Sequence, residues 1–152
     1  MRTVRTRTEF FPLVVVEFED RFTNEDFLQT LIDNERVLAR KQPFATIRDG
    51  RAVRTMPTPV QRKVGMQWQA EIADELSRYC AGVVTVTHNA IARNLLTAVR
   101  WMSPPPTPEE AMEEMPMAVD WCEQRLAPYG LIIPKGARAD LLGPLPAGRS
   151  SR

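Results

Sequence analysis

Val83-Val-Thr-Val-Thr87, followed at once by His88-Asn89, is a run of five β-branched residues that ends on a helix-capping side chain. Branched side chains lose little freedom on a pleated surface, so the run predicts a buried strand. Asn89 then opens a helix with the apolar face Ile91, Leu95, Ala98, Val99 and Met102, closed by Ser103-Pro104. On the N-terminal side, Gly82 ends a long helix that runs to about Tyr79. Its start is Thr58-Pro59-Val60-Gln61, with a cap hydroxyl, a proline at the first helical position and a reciprocating glutamine. Val60, Val64, Trp68, Ile72 and Leu76 recur along it every four residues, and Tyr79 and Cys80 continue the stripe.

The same alternation continues towards the N-terminus. Phe44-Ala-Thr-Ile47 is a short strand stopped by Asp49-Gly50, and Arg51 to Pro57 is a loop. A helix is predicted from about residue 24 to 41, entered through the capping-box variant Thr23-Asn-Glu-Asp26 and a Phe22/Phe27 hydrophobic staple. Leu13-Val-Val-Val-Glu-Phe18 is a buried strand, and Pro12 separates it from an edge strand within Val4 to Phe11. The order β-β-α-β-α-β-α predicts an α/β domain, with a mostly parallel central sheet of about four strands and right-handed crossovers.

Beyond Ser103 the chain changes character. Of the 13 prolines, a fraction of roughly 9% against about 5% in average proteins, nine lie between Pro104 and Pro146. Pro104-Pro-Pro-Thr-Pro108 predicts a stiff extended link. Thr107-Pro-Glu-Glu110 looks like a further helix cap, and Glu109 to Glu114 a helical or irregular segment. Ala118, Val119, Cys122 and Leu126, with Trp121, form a last amphipathic helix. Residues 1–126 are therefore expected to form the domain, and 127–152 a C-terminal extension.

Composition narrows the functional classes. With 152 residues, 43% hydrophobic and 26% charged, the chain has the length and make-up of one globular domain. A net charge of +1 gives no general reason to bind nucleic acid. One histidine and two cysteines are too few for a His/Cys zinc site, and no apolar run approaches the roughly 20 residues of a membrane span. The basic N-terminus is not followed by the apolar region of a secretory signal, so a cytoplasmic location is expected. No motif calls for a cofactor.

Several of these features occur together in one family. Val14-Val-Val-Glu-Phe18 leading into Arg21-Phe-Thr-Asn-Glu-Asp-Phe27, then Phe44-Ala-Thr-Ile-Arg-Asp49, then Pro59-Val-Gln-Arg62 with Trp68, make the first half of the pattern. Cys80-Ala-Gly-Val-Val-Thr-Val86, the helix Ala92 to Trp101 followed by Pro104-Pro105, and Ala118 with Trp121 complete it. From about Phe10 to Leu126 the chain resembles small bacterial STAS-like proteins, a superfamily that includes anti-sigma-factor antagonists and, more distantly, the lipid-binding CRAL-TRIO domains. The resemblance implies a non-enzymatic regulatory or scaffolding module acting through protein–protein contact, or a domain that holds an apolar small molecule or lipid. The antagonist branch carries a phosphorylatable hydroxyl after the aspartate that ends its central strand. Here Asp49-Gly50-Arg51-Ala52 has none.

Charge is unevenly distributed. Eight basic residues lie between Arg36 and Lys63 against Asp49 alone, and six acids with no base lie between Glu109 and Glu123. Such poles suggest complementary docking, between copies of the chain or with a protein partner. The candidate contact residues are Arg48, Arg51 and Arg54 in the basic loop, Trp101 as a half-exposed anchor, and Glu110, Glu113, Glu114 and Met115 in the acidic, Met-rich segment. Leu141, Leu142 and Leu145 would act as a docking peptide. An enzymatic reading would need His88 and Asp49 to face one pocket.

Overall fold

The computed structural model describes residues 2–102 and 104–143. Five strands form one mixed sheet: β1 (Val4–Arg7), β2 (Leu13–Phe18), β3 (Phe44–Asp49), β4 (Cys80–Val86) and β5 (Glu109–Met112), lying side by side in chain order. β1 runs antiparallel to β2, and every later pairing is parallel. The helices are α1 (Asn24–Leu38), α2 (Pro59–Glu71), α3 (Ala73–Tyr79), α4 (Ala90–Met102), α5 (Met115–Leu126) and α6 (Lys135–Leu141). A 3-10 turn, Ala127–Tyr129, follows α5.

Strand pleating distributes the apolar residues between two cores. Val14, Phe44, Cys80 and Val83 meet Val37 and Leu38 at the end of α1 and Leu76 of α3. Leu13, Val15, Ala45, Ile47, Val84 and Val86 point the other way, onto Met115, Ala118, Val119, Cys122 and Leu126 of α5. Both faces of β2, β3 and β4 are thus covered, which is why those strands read as continuous apolar runs rather than alternating ones. The two capping signals hold: Thr23 accepts from the Asp26 N–H, and Thr58 and Gln61 form a reciprocal box. The Phe22 and Phe27 rings stack with centroids 6.0 Å apart.

The structure differs from the sequence-based expectation in five places. The long helix is two helices, because Ile72 leaves helical geometry at φ −109°, ψ 18°. α1 stops at Leu38, and Lys41 beyond it takes a left-handed φ of 52° that a continuing helix cannot contain. Gly82 lies inside β4 rather than before it: the β3/β4 register slips between Phe44/Ala45, and the residue without a side chain sits beside Trp121 of α5. Glu109–Met112 is a fifth strand. As an edge strand it needs hydrogen bonds on one side only, and β4 supplies them, with Val83 N–H donating to Pro108 O and Thr87 N–H to Met112 O. Thr107 consequently caps no helix; its buried hydroxyl donates to the Cys80 carbonyl at 2.5 Å, beside the slip in register.

The fifth difference concerns residues 127–143, expected as an extension. They fold back onto the sheet, where Ile133, Ala137 and Leu141 join the α5-side core and Phe10 and Leu131 pack against it. Arg7 of β1 reaches Asp140 of α6 at 2.7 Å and fastens the segment to the far edge of the sheet.

Candidate interaction surface

α4 is strongly amphipathic, yet none of its residues is buried. Its orientation explains this. Arg93, Thr97 and Arg100 recur at i, i+4 and i+7 and form the side turned to the sheet edge. Arg93 donates to the Thr87 carbonyl at 2.8 Å, and Arg100 donates to the Glu109 carbonyl and pairs with the Glu110 carboxylate at 3.5 Å. Asn89 caps the helix through the N–H groups of Ile91 and Ala92 at 2.9 and 3.2 Å, which fixes its start. With the arginines spent on the end of β4 and on β5, the opposite side faces solvent: Ile91 is 77%, Trp101 84% and Met102 86% exposed, with Leu95 and Val99 about two-fifths exposed. Scattered apolar residues on a surface are ordinary, whereas a helical stripe of them is a candidate interaction surface.

An open groove of about 550 Å³ adjoins the stripe, lined by Arg100, Trp101, Pro104 to Pro108 and Glu109. The prolines fix their own φ angles, so this wall changes little when a partner docks. Trp101 thus belongs to both features; expected to be half-exposed at the edge of the stripe, it is almost fully exposed.

The remaining candidates are divided by the fold. Arg51 is committed to Asp49: its Nε donates to Oδ1 at 2.9 Å, its Nη2 to Oδ2 at 3.0 Å, and its backbone N–H to Oδ1 at 3.1 Å. Arg48 lies 3.8 Å from Glu109, whose other oxygen accepts from Gln69, so the basic and acidic poles partly neutralise each other within one chain. Arg54 is exposed, and its backbone N–H donates at 3.0 Å to Asp20, which holds the Asp20 carboxyl below its usual range. Glu110, Glu113 and Glu114 are exposed. Met115 and Leu141, expected on a docking surface, are only 3% and 2% exposed and belong to the core. Apolar side chains offered a packed site bury themselves there and are no longer available to a partner. Leu142 stays about two-fifths exposed, and Leu145 lies outside the described residues.

The two residues of the enzymatic reading sit in different environments. Asp49 is fully buried with both oxygens bonded to Arg51, whereas His88 is exposed just past the end of β4. Cys80 and Cys122 are free but buried, and burial pushes the Cys80 thiol up to about 11 and the Cys122 thiol higher still, away from the nucleophilic thiolate. Among the described residues no cluster of His, Cys, Asp and Glu is arranged to hold a metal ion, and no helix is long and apolar enough to cross a membrane.

The apolar stripe on α4 is visible in the sequence, but the direction it faces is not. The signal that bears on that direction is the Arg93, Thr97, Arg100 series at helical spacing, followed within ten residues by the Glu109-Glu110 pair. No family model, curated protein or solved structure matches the chain.

Proposed function

We propose that the chain is a non-enzymatic regulatory or scaffolding module of the STAS-like type, acting through protein–protein contact, with α4 and the adjoining proline wall as its contact surface. The observation that supports this is the orientation of α4, which directs its polar side inward and its apolar stripe into solvent. Holding two arginines against a sheet edge while leaving five large apolar side chains in water is unfavourable for an isolated domain, and favourable once a partner covers the stripe. The free, buried thiols suit a reducing compartment such as the cytoplasm.

The test is site-specific photocrosslinking. A benzophenone side chain at Trp101 should give a protein adduct in extract of the native cell, whereas the same group at exposed Glu75 on α3 should not. Equal labelling from the two positions would remove α4 as the contact element.

A further inference from the structure

We infer that the occupant of the α4 stripe is a second copy of the same chain, docked through an antiparallel α4–α4 contact about a two-fold axis. This rests on the reading of α4 as a protein-contact element and names its partner. Three observations carry it.

The first is spacing. Ile91, Leu95, Ala98 and Met102 follow one another at intervals of four, three and four residues, the rhythm of a helix–helix seam. That series is the same read in either direction, as a two-fold axis across antiparallel helices requires. The axis falls between Leu95 and Ala98. Ile91 then meets the copy's Met102, and Leu95 packs over the copy's Ala98, large on small at both central positions.

The second is charge. α4 contains no acid, and its two bases, Arg93 and Arg100, are bonded to the end of β4 and to β5, so two stripes can close without placing like charges opposite each other. Antiparallel packing also sets the positive N-terminal end of each helix beside the negative C-terminal end of the other. The third is area. Ile91, Trp101 and Met102 are each more than three-quarters exposed and Leu95 and Val99 about two-fifths, so the stripe offers apolar area toward the ~800 Å² per partner of a standard interface.

Sedimentation and cysteine crosslinking test this. The wild-type chain should sediment as a dimer, and Leu95→Glu, which puts a charge beside the axis, should sediment as a monomer with an unchanged circular dichroism spectrum. In chains carrying one added cysteine, Leu95→Cys mixed with Ala98→Cys should form disulfide-linked dimers faster than either variant alone. The native Cys80 and Cys122 are buried and do not compete. A wild-type chain that stays monomeric at high concentration overturns the inference. So does a dimer that survives Leu95→Glu, or crosslinking that shows no preference for the mixed pair. If the chain is monomeric but Trp101 still crosslinks to a different protein, only the identity of the partner fails.

Discussion

Gly82 shows how much a single position controls. A Cβ placed there would lie 2.6 and 2.9 Å from two carbons of the Trp121 ring, well inside van der Waals contact, and 3.2 Å from Cγ of Arg125. The missing side chain is therefore what lets α5 lie close on β4. Gly82→Ala should lower stability by about 1–3 kcal/mol, the usual range for overpacking, as measured by urea unfolding. Replacing Trp121 by Leu in the same chain should recover part of that loss, so the two effects will not add. Full additivity would show that the ring is not what the new methyl meets. The sequence marked Gly82 as a helix stop because a lone glycine between a helical stripe and a β-branched run usually is one. A slip in register between two strands depends on residues 37 positions apart in the chain, Ala45 and Gly82, and no local pattern records it.

At the scale of elements, those with strong local signals were legible: β2, β4, α1 and the entry to α2 each combine periodicity with a cap or a breaker. β5 was not, because Glu-Glu-Ala-Met is a poor strand former and becomes one through pairing with β4. α4 was legible as an amphipathic helix but not in its orientation, since periodicity gives the angle of a stripe and not the neighbour that receives it. The link between β1 and α1 was also unreadable. Asp26 accepts from the Thr3 backbone N–H at 2.6 Å and the Thr3 hydroxyl at 2.7 Å, joining residues 23 positions apart. These bonds, the backbone one foremost, hold the Asp26 carboxyl below its ordinary value of 3.8. A carboxylate depressed in the folded state stabilises above the unfolded value, and that contribution fades as pH falls through the folded value. Asp26→Asn should therefore be less stable than wild type at neutral pH, and the gap should close as the pH drops below 3.8. Thermal melts of both proteins across that range are the measurement, and a gap that does not vary with pH would show that Asp26 acts through shape alone.

For the whole molecule, the proline-rich third completes the fold as well as departing from it. The Pro104 to Pro108 link brings β5 to the sheet edge, and the chain then crosses to the opposite face as α5 before turning back through α6. The boundary expected at residue 126 came from reading Leu131-Ile-Ile133 as no more than a short apolar run and Leu141-Leu142 as part of a docking peptide. Ala137 and Leu141 are instead spaced four residues apart on α6, with Ile133 buried just before it, so one side of a seven-residue helix can reach the core while Leu142, the next residue, stays outside. Neighbouring leucines thus have opposite fates, and mutation can distinguish them. Leu141→Ala should cost about 2–5 kcal/mol, as buried leucine truncations do, whereas Leu142→Ala should stay within ~0.5 kcal/mol of wild type, as exposed substitutions do. Ending the chain at residue 130 removes Ile133, Ala137, Leu141 and the Arg7–Asp140 ion pair together, so its melting temperature should fall further than that of Leu141→Ala. Equal effects from the two leucine substitutions, or a truncated chain that melts like wild type, would return residues 127–143 to the status of an appendage and leave the α5 face of the sheet to be closed by something else.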